Sequence, residues 1–182
     1  MADQPVEVVS YNPAWPARFA DMQPAVEQLL QPWLTGPVEH IGSTSVPGLA
    51  AKPVIDMLAL VSSLDQARNP ALSALTAVGW LDWPDDPASY YRLWFLFPSP
   101  DKRTHHLHVL ECGEPHARAL VAFRDLLRSD MALRQEYADL KQRLALEHPD
   151  NRNAYTNAKG DFVDRVLRDA GFQVPGRDLL PE

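Results

Sequence analysis

Three groups of residues in this sequence have the types and spacing to do chemistry. The first is Gly42-Ser43-Thr44-Ser45, a tight polar run directly after the short strand-like segment Val38–Ile41. Glycine lets a backbone come close to a phosphate, and amide N–H groups with three hydroxyls supply donors, so the run can cradle an anion. The same residue types also serve as plain helix caps. The second is Asp56, a single acid inside the apolar stretch Pro53–Val61. An ionised carboxylate is costly there unless it is paired, hydrogen-bonded or metal-bound. The plainer alternative is an acid bonded to a neighbouring loop. The third is the run Thr104-His105-His106-Leu107-His108-Val109. On a strand, His106 and His108 project to one face, and His105 and Leu107 to the other. With Asp56 from an adjacent strand they compose a two-His, one-carboxylate set, which suits zinc, manganese or iron better than magnesium. Either imidazole also suits general-base work near neutral pH. Hydrogen-bonded structural histidines are the alternative.

These groups need elements to position them. Val6–Ser10 reads as a short extended entry. Phe19, Met22, Val26, Leu29 and Leu30 recur at helical spacing, predicting a helix over about 15–31 that Pro24 kinks or divides. Val38–Ile41 is a short strand, and Pro53–Val61 is a central strand buried on both faces. Ser63–Val78 is a helix closed by Gly79. A Pro/Asp-rich connection spans 80–88. Strands follow at Tyr90–Phe97 and Thr104–Glu111, joined by a hairpin turn at 98–103. The last third reads as three helices over 117–127, 131–147 and 153–170, with a frayed tail from Pro175. The expectation is one domain over 1–182, with a sheet-containing half to about 112, a helical half over 113–172 and a tail over 173–182.

Composition narrows the function classes. A net charge of −7 argues against a broad nucleic-acid surface. The single Cys112 rules out an intrachain disulfide and reads as a passive residue at a strand end. No stretch is apolar enough to span a bilayer, and the first residues lack the apolar core of a signal peptide, so the expected compartment is the cytoplasm, with no membrane partner. A Walker loop, a dinucleotide glycine triplet and a Gly-x-Ser-x-Gly elbow are all absent from the sequence.

The stretch from His40 to Met57 resembles the signature of the GrpB family. So do Thr104–Val109, Phe123-Arg124-Asp125-Leu126-Leu127-Arg128 and Tyr155-Thr156-Asn157-Ala158-Lys159, and the similarity runs from about Val6 to Leu167. That family is grouped with nucleotidyltransferase-like proteins related to polymerase beta. The resemblance implies an α/β (α+β) fold, a mixed β-sheet flanked by helices with a C-terminal helical portion. It also implies a Gly-Ser loop holding a triphosphate and paired acids holding magnesium. Gly42 and Ser43 match the loop and Asp56 matches the first acid. The second acid falls at Leu58, which cannot ligate a cation, and two-metal phosphoryl chemistry needs several carboxylate oxygens.

In such a pocket Lys52, Lys141, Tyr155 and Lys159 would join Gly42, Ser43, Thr44 and Ser45 in binding phosphate or stacking a base. Solvated helix-face lysines are the commoner case. An aromatic strand such as Tyr90-Tyr91-Arg92-Leu93-Trp94 is more often core than pocket. Three readings follow. One is metal-dependent nucleotidyl or phosphoryl transfer, with Asp56, His106 and His108 as catalytic and metal-binding residues and magnesium, manganese or zinc as cofactor. The second is a nucleotide-binding or regulatory module without transfer. The third is a metal-dependent hydrolase on the same three residues. The partner in each is a nucleotide or another phosphate-bearing small molecule.

Overall fold

The chain is seen here in a computed structural model that describes residues 5–83 and 86–181. Met1–Gln4 of the entry segment, Pro84 and Asp85 of the Pro/Asp-rich connection, and Glu182 of the tail lie outside the described residues. The described elements are α1 (Trp15–Leu30), β1 (Glu39–Ile41), a 3-10 turn (Ser43–Ser45), β2 (Ile55–Val61), α2 (Leu64–Ala77) and β3 (Leu81–Asp82). They continue with β4 (Arg92–Phe97), β5 (His105–Glu111), α3 (Pro115–Ser129), α4 (Met131–Glu147), α5 (Arg152–Ala158) and α6 (Gly160–Asp169). The sheet is mixed, in the order β1-β2-β5-β4-β3. β2 and β5 are parallel neighbours at its centre, and the other pairings are antiparallel.

Strand alternation divides the sheet into two faces. Ile55, Met57, Ala59 and Val61 of β2 join Leu107 and Val109 of β5 and Leu93 and Phe95 of β4 in the main core, under α1 and α2. Trp15, Val26 and Leu30 of α1 and Leu64, Ala67, Ala71 and Leu75 of α2 fill that layer. Leu58 and Leu110 face the other way, onto Ala117 and Val121 of α3. Asp56, His106 and His108 lie on this second face, beside the helical half. Phe123, Leu127, Leu133 and Tyr137 pack with Phe162 against Val46 and Leu49, the loop after the 3-10 turn.

The expected elements are all present in order, and four details depart from expectation, the first being a short extra strand, β3, inside the connection read over 80–88. Pro24 lies inside α1 without dividing it. The helix expected over 153–170 is two helices, meeting at Lys159 and Gly160. Glycine is a poor helix former, and a Cβ at Gly160 would occupy the space taken by the Arg177 guanidinium. The last departure is the tail, which is irregular but pinned. Asn157 donates to Leu180 O at 2.9 Å and accepts from Leu180 N at 3.0 Å, Asn153 donates to Pro181 O at 2.7 Å, and Arg177 pairs with Asp161 and Asp164. Leu180 is buried against Trp94 and Leu96. Frayed tails lack such side-chain anchors, which a composition-based reading does not reveal.

Among the described residues no helix is long and apolar enough to cross a membrane. Cys112 is exposed, one residue past β5. Phe95 is fully buried at the middle of the main core. Phe95→Ala is expected to lower unfolding stability by about 3–5 kcal/mol, read from urea denaturation, since truncating a buried aromatic loses transfer energy and leaves a cavity.

Candidate functional site

The antiparallel pairing of β1 with β2 sets Ile41 opposite Asp56. The next residue, Gly42, turns back over that acid with φ +67° and ψ −173°, a conformation essentially reserved to glycine. A Cβ there would lie 2.9 Å from Asp56 Cβ and Cγ and would overlap its carboxylate oxygen. Glycine is thus required twice, by its backbone and by the acid packed against it. The loop is braced from α3. Arg128 donates twice to Ser45 O, at 3.0 and 2.8 Å, and Arg124 donates to His40 O at 3.1 Å and to Glu39 at 2.7 Å. The Phe123–Arg128 motif therefore serves as a clamp on the loop.

The parallel register places Asp56 opposite His106 and Leu58 opposite His108. His106 Nδ1 is 3.0 Å from Asp56 Oδ1. Since a carboxylate only accepts, Nδ1 carries the proton and Nε2 is the bare nitrogen of the neutral ring. Burial raises the Asp56 pKa, but the His106 hydrogen bond and the nearby His and Lys52 charges outweigh it and bring it below the ordinary value. Burial lowers His106 despite the acid. The pair is thus carboxylate and neutral imidazole. His108 is pushed down to about 3, by burial first and then by the Arg92 charge. It stacks on Trp94 at 5.9 Å. His106 Nε2 and His108 Nδ1 are buried without hydrogen-bond partners among the described residues. His105 faces the opposite layer, against Trp80 and Phe97.

A cavity of about 430 Å³ opens between this sheet face and the helical half, and its wall includes Gly42, Ser43, Thr44, Lys52, Asp56, His106, His108, Lys141, Tyr155 and Lys159. Of the expected site residues, the structure keeps Ser45 off that wall, because its hydroxyl donates to Gly42 O at 2.6 Å. Thr44 reaches the wall, but its hydroxyl donates to Val54 O at 3.2 Å and meets His40 Nε2 at 3.0 Å. Ser43 presents the loop's cavity-facing hydroxyl, 3.0 Å from Lys141 Nζ.

Lys52 and Lys159 flank the ring of the buried Tyr155, with ammonium groups 4.9 and 4.5 Å from its centre. Such cation–π placement accommodates charge in a partly dry site. Burial, then Lys159 and Arg152, hold Lys52 well below an ordinary lysine. Lys159 is pushed down to about 8 by burial, partly offset by Asp56. None of Lys52, Lys141 and Lys159 makes an ion pair among the described residues.

Sequence reasoning missed three kinds of contributor. Arg103 and Arg152 are buried in the cavity wall, and isolated arginines gave no signal. Tyr137 lines the cavity, with its ring centre 4.8 Å from Lys141 Nζ. It lies four residues before Lys141 and therefore on the same helix face, a spacing that was available. The tail is the third, since Val174–Leu180 lines the cavity.

The profile of the family described as "GrpB protein" matches residues 5–169. The chain belongs to the GrpB family. It is 34% identical over 173 residues to UPF0157 protein YqkA of Bacillus subtilis, covering 95% of this chain and 49% of the relative, so it spans about half of that relative's length. It is 36% identical over 168 residues to UPF0157 protein PA4798 of Pseudomonas aeruginosa, covering 91% and 67%. Among solved structures, the conserved GrpB protein from Enterococcus faecalis superposes with a TM-score of 0.80 at 33% identity, over 90% of this chain and 96% of that one. The tail lies beyond the family match.

Fit to metal can be judged on the residues present. Leu58 is fully buried where the resemblance implies a second acid. The remaining site-face positions of the other strands are His106, His108 and Leu110 on β5, Arg92, Trp94 and Leu96 on β4, and Glu39 and Ile41 on β1, where Glu39 is held by Arg124 and lies off the cavity wall. One carboxylate does not fit a pair of magnesium ions. Two neutral, unpartnered imidazole nitrogens near one carboxylate do suit a single nitrogen-preferring cation by donor type. Among the described residues, no three His, Cys, Asp or Glu side chains are placed so that they could hold a metal ion together. Gly42→Ala is expected to cost about 1–3 kcal/mol from backbone strain alone, and to displace Asp56. Thermal unfolding should show the loss, and the His106 imidazole NMR shift should move with its lost partner.

Proposed function

We propose that this GrpB protein binds a phosphate-bearing small molecule, a nucleoside triphosphate by the family resemblance, in the cavity above Asp56. One observation carries this reading. In a chain of net charge −7, Lys52 and Lys159, neither in an ion pair among the described residues, meet at one cavity beside a Gly-Ser turn. Buried ammonium groups are costly unless compensated, and a phosphate compensates them. Lys52 and Lys159 supply the charge, Ser43 the hydroxyl, and Lys141 holds Ser43. Tyr155 fixes both flanking ammonium groups and leaves them little conformational freedom to lose on binding.

Among the described residues, Asp56 is the one acid that the strands contribute to the cavity lining. It accepts from His106 and stays ionised, so an acceptor hydroxyl brought beside it meets a base already oriented. The reading is therefore phosphoryl or nucleotidyl transfer, with Asp56 nearest the reacting atoms and His106 and His108 behind it. A metal-dependent variant, including hydrolysis, is favoured by the bare nitrogens of His106 and His108. Asp56, His106 and His108 would hold a single divalent ion, which would polarise the phosphorus centre.

Three results test this. Tripolyphosphate and nucleoside triphosphates should raise the thermal unfolding midpoint, equivalent to about 2.7 kcal/mol at 100 times Kd. Lys159→Met should remove most of the response, and absence of any response in the wild type would end the reading. Because Lys159 loses its proton near pH 8, affinity for the anion should fall as the pH rises through that value. Bound anion should in turn raise that pKa, by reciprocal linkage. Metal analysis of the purified protein against His106→Ala separates the metal-dependent variant, and radiolabelled triphosphate separates transfer from binding alone.

A further inference from the structure

Lys141 is 2% exposed, and its ammonium group has a small set of partners. Nζ lies 3.0 Å from Ser43 Oγ, contacts the Ala50 carbonyl, and sits 4.8 Å from the centre of the Tyr137 ring. Ser43 in turn faces the cavity, which Tyr137 also lines. We propose that Ser43 is a nucleophile, with Lys141 as its general base and Tyr137 as its positioning residue. Its target is a phosphoanhydride bound in the cavity, so the substrate class rests on the phosphate-binding reading.

The hydrogen bonds close on this assignment. A neutral amine donates to the Ala50 carbonyl and offers its lone pair to the Ser43 O–H. Tyr137, kept protonated by burial, lies beneath the Lys141 amine, 4.8 Å from Nζ to its ring centre, and limits where Nζ can sit relative to Ser43. Burial, with the Lys159 charge assisting and Asp56 opposing, lowers Lys141 to about 7, so a neutral amine is accessible near neutrality. Lysine serves as a base when its pKa is brought down in this way, and a hydroxyl nucleophile needs such a neighbour.

The step balances as follows. The Ser43 Oγ–P bond forms while the bridging P–O bond of the anhydride breaks. The serine proton passes to Lys141 Nζ, which becomes ammonium. The bonding electron pair leaves with the departing phosphate or diphosphate, whose charge faces Lys52 and Lys159. The product is a seryl phosphoester and a free phosphate anion, and a later acceptor or water takes the group from Ser43.

The test treats the whole protein with an alkyl fluorophosphonate, followed by intact-mass measurement and peptide mapping. The expected result is one phosphonyl adduct on Ser43, absent in Ser43→Ala. Lys141→Met removes a buried amine for a chain of similar shape, so it should stay folded by circular dichroism, and labelling should slow by about 100-fold, a typical loss for a general base. Lys141→Arg should not restore the rate, because a guanidinium does not give up its proton. An unlabelled Ser43 in the wild type, or equal rates in wild type and Lys141→Met, would overturn the proposal. Tripolyphosphate thermal shift on the same samples reads the phosphate site separately. Labelling of Ser43 without a shift would support the nucleophile while removing the phosphate-binding reading.

Discussion

The site depends on one close contact, the Gly42 backbone lying on the Asp56 carboxylate. Antiparallel pairing of two short stretches brings the turn and the acid together, and a missing side chain lets them touch. Most other features follow from that contact. The acid is held where His106 can donate to it. The loop leaves β1 at an angle that buries Ser45 and turns Ser43 outward. Two arginines on α3 reinforce the turn's own backbone bonds, Arg128 donating to Ser45 O and Arg124 to His40 O at the end of β1. The contact also explains why the acid stays ionised in a partly dry site, because it is hydrogen-bonded to an imidazole before any ligand arrives.

Electrostatics in the cavity follow from crowding rather than from net charge. Lys52, Lys141 and Lys159 come from the loop before β2, from α4 and from the α5–α6 junction. Each is lowered by burial. Such groups are held in the folded state at a cost in stability, which is lowest at high pH, where they are neutral in both states, and grows as the pH falls below the unfolded lysine value. A fold carrying this cost retains groups that a hydrophobic residue would replace more cheaply, and that favours a functional origin for the cluster.

Much of this was legible from residue order. The period-2 alternation of β2 and β5 was enough to put Asp56, His106 and His108 on one face, because parallel neighbours in register share faces. The Gly-Ser turn and the basic residues on the C-terminal helices were legible through the family resemblance. What stayed hidden depended on tertiary partners. The hydroxyls of Ser43 and Ser45 look equivalent in sequence, yet one faces the cavity and the other caps its own turn, and only the turn geometry separates them. The break at Lys159-Gly160 was masked by continuous helical periodicity through Val163, Val166 and Leu167. The tail was misread because its anchors, Asn153 and Asn157, are polar residues whose partners are backbone atoms far along the chain.

The junction between α5 and α6 has a consequence of its own. The bare Cα of Gly160 is the berth for Arg177, and Arg177 ties the tail to Asp161 and Asp164. The same glycine adjoins Lys159, whose ammonium group rests on Tyr155. One residue without a side chain therefore couples the closing segment to a ligand-facing cation. Loosening of the tail would be felt first at that cation, and a ligand drawing on Lys159 would in turn alter how firmly the tail is moored.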